Sequence, residues 1–239
     1  MVKLIRSEFI KNRVWVCCII AMLLPVITGA LMKIQIIDRT AEYIDISIDT
    51  YTFALFCNSY LFFILPVFAL LISSFIAQNE SRENGWILVL SIVKKEEKII
   101  MAKCFINIFI VFVSYISFTC VNCCLLQRWG MEILFTTVII PMLYSFLCFI
   151  PLVSLFQILS IVISHMTGKV FLGMFFILLN VFVTQTKYNK YFFPSFYIKI
   201  AQDVSYPGIK VTLSIFITVG VVYLGAKLMK KAPFTEVER

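Results

Sequence analysis

Cys120-Val-Asn-Cys123 is the one pair in the chain whose spacing matches thiol–disulfide exchange. That chemistry needs an activated thiolate and usually a second relay pair. Cys57 stands singly, and in a chain with eight cysteines the spacing also arises from composition alone. His165 is the sole histidine and has no cluster of further ligands around it, so it builds no zinc site. Gly168-Lys169 has the end of a phosphate-binding loop without the upstream glycine or the preceding strand, so the chain has no ATP-hydrolysing loop of its own. The residue types that do chemistry are therefore sparse, and the elements around them carry the argument.

Those elements are apolar. Of 239 residues, 61% are hydrophobic and 14% charged, with a mean hydropathy of +0.97. An ordinary soluble chain carries about 25% charged residues. A soluble domain of this composition would have too little polar surface, so the chain is expected to be an all-α polytopic membrane protein with a single transmembrane domain over 1–239. Its net charge of +8 does not point to nucleic acid, because the charges cluster at the ends of apolar spans. All eight cysteines fall in or beside these spans, as small apolar residues do, rather than in a secreted disulfide framework.

Six spans are expected, at about 14–32, 53–77, 104–126, 137–163, 170–186 and 211–229. Each approaches the roughly 20 residues that a bilayer demands. The first begins basic but is too long for a signal peptide's apolar core and is read as uncleaved. Pro66 predicts a kink in the second. The fourth, with Pro141 and Pro151, is read as one tilted or broken helix, since about 30 residues cannot cross twice. With both termini cytoplasmic, fourteen of the 21 Lys and Arg residues lie inside and seven outside, as the positive-inside rule requires. Residues 1–13 are either a basic flank of the first span or a short interfacial helix, with Val2, Ile5 and Phe9 on one side. The aromatic outer loop 187–210, with Phe196 and Tyr197 among its rings, either dips into the outer leaflet or forms an aromatic belt.

No span carries a clear buried ion pair or carboxylate. Ion-coupled transporters usually place such groups near mid-membrane, so a secondary transporter is disfavoured. Asn58, Asn107, Asn122, Gln157 and Asn180 are the polar amides within spans, and helix–helix hydrogen bonding is their expected role.

The stretch 78–103 is the long charged segment between two spans. Its apolar centre, residues 86–93, is too short to cross a bilayer. Glu80, Arg82 and Glu83 precede that centre, and Lys94, Lys95, Glu96, Glu97 and Lys98 follow it. Such a piece lies at the membrane surface or docks into a groove of a soluble partner. Trp86 and Leu90, four apart, share a helical face and could anchor it.

Glu83-Asn-Gly85-Trp86, then Leu90, then Lys94 and Lys95, with Lys103 opening the next span, resembles the permease subunits of ABC transporters of the ABC-2 type. The resemblance extends over the whole chain in layout and is nearest to the lantibiotic-immunity and bacitracin-export permeases of Gram-positive bacteria. Ile92-Val93-Lys94 stands where that family carries a proline. The resemblance implies a coupling segment made by Glu83, Gly85, Trp86, Leu90, Lys94 and Lys95, seated on a separate cytoplasmic ABC ATPase that uses ATP and Mg²⁺. It also implies a second permease (a copy or a paralogue), a bacterial cytoplasmic membrane and an amphiphilic antimicrobial peptide as exported cargo. No cofactor bound by this chain and no nucleic-acid partner are expected. The alternatives from other classes are a membrane thiol oxidoreductase built on Cys120 and Cys123, and a membrane anchor for a sensor complex.

Overall fold

The computed structural model describes residues 2–39, 59–81, 96–128, 135–163, 165–184, 186, 194, 196–198 and 207–229. Among these residues there is no strand. The elements are α1 (Val2–Lys11), α2 (Val14–Arg39), a π-helical turn (Tyr60–Ile64) running into α3 (Leu65–Ser81), α4 (Glu96–Arg128), α5 (Phe135–Val162), α6 (Met166–Thr184) and α7 (Pro207–Met229). Six of these helical runs, all but α1, are long and apolar enough to cross a membrane. In lipid every backbone polar group must be satisfied within the protein, and a helix does this along its own length.

Several helices outrun the expected spans. α2 continues through Arg39 because no Gly or Pro interrupts residues 30–39. α3 continues through Ser81, and α4 begins at Glu96. The stretch 78–103 is thus part helix at both ends, and only 82–95 lies outside the described residues. α4 has 33 residues, about 50 Å at 1.5 Å per residue, so it projects well beyond a hydrocarbon core of about 30 Å. α5 is one helix of 28 residues that contains both Pro141 and Pro151. α7 starts at Pro207, a residue whose fixed φ and missing N–H suit the first turn of a helix.

Packing shows that successive spans alternate in direction. Ala77 near the end of α3, Ile99, Ile100 and Cys104 near the start of α4, Ile158 and Ile161 near the end of α5, and Ala226 near the end of α7 form one buried cluster. Leu4 of α1 packs on it, so α1 marks this end, here called basal. The opposite end is built from Tyr60, Phe118, Met142, Phe146, Phe149 and the turn 196–198. Within the bundle α5 touches α3, α4, α6 and α7, whereas α2 packs chiefly along α4. The spans of α3, α4 and α5 are 67%, 61% and 72% buried, against 28%, 22% and 17% for α2, α6 and α7. The bundle is therefore an inner trio with three peripheral helices whose apolar outer faces remain for lipid or another chain.

Candidate functional site

Four of the buried polar side chains of the inner trio lie on one face of α4. Lys103, Asn107, Ser114 and Asn122 are all fully buried. Their offsets of four, seven and eight residues keep them on one side of a 3.6-residue helix. From Lys103 to Asn122 the rise is about 28 Å, close to the thickness of a hydrocarbon core.

At the basal end this face carries an ion pair. Lys103 Nζ lies 3.1 Å from Glu8 Oε2, with side chains 0% and 4% exposed. Asn12 Nδ2 donates to the same carboxylate oxygen at 3.0 Å and to the Glu8 carbonyl at 3.0 Å. Arg13, at φ 47°, then turns the chain from α1 into α2. Left-handed backbone at a residue other than glycine is costly and holds only where its surroundings fix it. Phe9 meets Phe109 across the same contact, ring centroids 6.2 Å apart. The expectation that no span carries a buried ion pair is corrected here: Lys103 belongs to the spanning helix, and its counter-charge comes from α1, 95 residues away. Of the two readings for residues 1–13, the structure has a helix. Its inward side carries Glu8 beside Leu4, with Asn12 buried just past its end, while Phe9 and Ile10 are exposed.

One turn further, Asn107 Nδ2 donates to Ser73 Oγ of α3 at 2.5 Å and to Gln157 Oε1 of α5 at 3.2 Å. Ser73 in turn donates to the Ala69 carbonyl at 2.7 Å, so its oxygen is oriented to accept from Asn107. Asn107 thereby ties all three inner helices together, the expected role for an amide within a span. Asn107 Oδ1, Gln157 Nε2 and Ser154 Oγ are buried and have no hydrogen-bond partner among the described residues.

The far end is held by hydroxyls and rings. Ser114 Oγ shares a hydrogen bond of 2.5 Å with Tyr60, which stacks on Phe118 at 4.3 Å. Tyr115 shares one of 3.2 Å with Ser145, and Ser145 donates to the Tyr197 carbonyl at 2.6 Å. The Tyr197 hydroxyl donates to the Leu61 carbonyl at 3.0 Å and accepts from Asn180 Nδ2 at 3.2 Å. The Leu61 bond has a local cause. Leu65 N–H bonds the Tyr60 carbonyl, an i to i−5 step. In that register the donor for the Leu61 carbonyl would be the N–H of residue 66, and Pro66 has none. Tyr197 takes that place. Just before Pro66, where a kink is expected, the chain makes a π-helical turn with a tertiary partner.

Phe196, Tyr197 and Ile198 are buried in the main core, with Phe149 packed edge-on to Tyr197 at 4.7 Å. This part of the aromatic loop therefore packs into protein, not into an outer leaflet and not as a belt facing lipid. Hydropathy alone does not distinguish these surroundings.

The six residues expected to form the coupling segment, Glu83, Gly85, Trp86, Leu90, Lys94 and Lys95, lie outside the described residues, as does Asn58. Cys120 is exposed and Cys123 half-buried on α4, both as free thiols. His165 is exposed at the start of α6, where its carbonyl accepts from Lys169 N–H. Among the described residues no group of His, Cys, Asp or Glu is arranged to hold a metal ion. The site that sequence reasoning missed is the pairing of Glu8 with Lys103. The one available signal was a carboxylate and an amide four apart, Glu8 and Asn12, on a short helix beside a span. Comparison with protein-family models, curated proteins and solved structures finds no match to this chain.

Proposed function

We propose that the chain is the membrane-spanning permease subunit of an ABC transporter of the ABC-2 type. In this reading the segment 82–95 is the handle by which a separate cytoplasmic ATPase moves the bundle. The observation that carries it is the basal tie. The helix that emerges from this segment, α4, runs without a break into the bundle core and is fixed to α1 by Glu8 and Lys103. A push on 82–95 would act on α4, and through Asn107 on α3 and α5. The six-span layout and the loose resemblance at Glu83–Lys95 add to this.

The proposed partners are an ABC ATPase, which supplies ATP and Mg²⁺ chemistry, and a second permease. The proposed cargo is an amphiphilic antimicrobial peptide of the lantibiotic or bacitracin kind, exported from a bacterial cytoplasmic membrane. A core trio joined by neutral amides and hydroxyls suits a cargo recognised by hydrogen bonds and apolar contact rather than by charge. The test is purification in mild detergent with mass spectrometry of co-purifying proteins. A small ATPase should accompany the wild-type chain and be lost with Trp86→Ala or Glu83→Ala while membrane insertion is unchanged. Equal recovery with and without these changes would remove the coupling role of the segment.

A further inference from the structure

α1 is inverted relative to a helix that packs on a bundle from water. Its one carboxylate, Glu8, and the adjoining Asn12 are turned inward. Its outward side presents Arg6, Phe9 and Ile10, and just beyond it Arg13 and Trp15. Ile10 is 70% and Trp15 61% exposed. Among the described residues of α1 and the turn that follows it, the exposed charged side chains, Arg6, Lys11 and Arg13, are all basic. Lys103 neutralises Glu8 inside the bundle and so removes the acidic group from the outer surface. Ile5, Arg6, Phe9 and Ile10 line an open hollow of about 380 Å³.

A positive surface interleaved with Phe, Ile and Trp, set at the end of a spanning helix, matches the depth at which lipid headgroups meet acyl chains. Water alone would not suit Ile10 and Trp15, and the hydrocarbon core would not suit Arg6 and Arg13. A neutral zwitterionic headgroup offers no net charge to these arginines. We propose that the outer face of α1 is a binding site for anionic phospholipid. The lipid phosphate meets Arg6 and Arg13, and the upper acyl chain lies against Phe9, Ile10 and Trp15. The inward pairing of Glu8 makes the site selective, because an outward carboxylate here would repel the same headgroup. This inference does not depend on the presence of an ATPase partner.

The test uses the full chain in bilayers of phosphatidylcholine doped with phosphatidylglycerol. The protein is released into mild detergent, and retained lipids are counted by native mass spectrometry. Wild type should retain phosphatidylglycerol in preference to phosphatidylcholine, and the preference should fall as salt rises. Loss of one arginine should lower it about fivefold, at roughly 1 kcal/mol per basic residue near an anionic surface. Arg6→Gln with Arg13→Asn should abolish most of it. Asn is chosen at 13 because it tolerates positive φ, and an unchanged thermal midpoint would show that the bundle is intact. No preference in wild type, or a preference that survives the double change, would overturn the proposal. So would complete displacement of the lipid by inorganic phosphate, which would show an anion site indifferent to acyl chains.

Discussion

The two ends of the inner trio are closed by opposite means. Among the described residues, the basal end carries a buried charge pair, Glu8 with Lys103, helped by Asn12. The far end is tied by neutral groups: Tyr60 with Ser114, Tyr115 with Ser145, and Tyr197 with Leu61, Asn180 and Ser145. A buried pair is costly to make and more costly to break, because removal of one member strands a charge. A neutral network loses one bond at a time. The basal end is thus an all-or-none fastening, while the far end is a graded one.

The largest effect follows from the charge pair. Glu8→Ala or Lys103→Ala should cost about 3–5 kcal/mol, by removing the buried counter-charge of the residue that remains. Thermal unfolding in detergent would read this as a large fall in midpoint. The exchange Glu8→Lys with Lys103→Glu should recover a substantial part of the loss, since charge complementarity is kept. If each single change is tolerated as well as a surface substitution, the two ends are not fastened differently and the comparison fails.

The far end should respond more gently. Tyr197→Phe keeps the ring in the core but leaves the Leu61 carbonyl without its donor, at a cost of about 1–3 kcal/mol. The cause assigned to that bond gives a sharper experiment. Pro66→Ala restores an N–H in the π-helical turn, so Tyr197→Phe should cost less in a Pro66→Ala background. A double-mutant cycle would report this as a coupling between residues that do not share a hydrogen bond in the wild type. Strict additivity would show that Tyr197 and Pro66 are unrelated.

Between the ends the helices meet by close approach. Gly173 of α6 lies against Leu70 of α3, and a Cβ at this position would press on several atoms of the Leu70 side chain. Small residues allow such approach in membranes, where packing rather than water drives association. Gly173→Val should cost about 1–3 kcal/mol by overpacking. Leu70→Ala in the same chain should relieve part of it, measured again by the unfolding midpoint.

The spans were legible in the sequence because bilayer thickness and backbone satisfaction impose long apolar helices with few alternatives. Asn107 and Asn180 were legible for the same reason, as amides that must find partners. What could not be read depends on tertiary meeting. Glu8 and Lys103 are 95 residues apart, and each looked like an ordinary interfacial charge. Tyr197 and Leu61 are 136 apart, and the aromatic loop is equally apolar whether it faces lipid or protein. The helical wheel of α1 groups Val2, Ile5 and Phe9 on one side but gives no sign that Glu8 and Asn12 are the groups the bundle takes up. A buried cation at the base of α4 outweighed the apolar stripe, since an unpaired charge there costs more than an exposed Ile10 beside lipid.

The smallest effect is expected on the outward side of α4. Cys120 is exposed and Cys123 half-buried, away from the fully buried row that runs from Lys103 to Asn122. Neither thiol takes part in the ties at either end. Serine is close in size to cysteine, so Cys120→Ser with Cys123→Ser should change stability by no more than about 0.5 kcal/mol, as surface substitutions do. Export of the proposed peptide cargo and the unfolding midpoint should both match wild type. A loss of function at unchanged midpoint would mean that the pair does chemistry, favour the thiol oxidoreductase over the permease, and shift attention from the buried face of α4 to its exposed one.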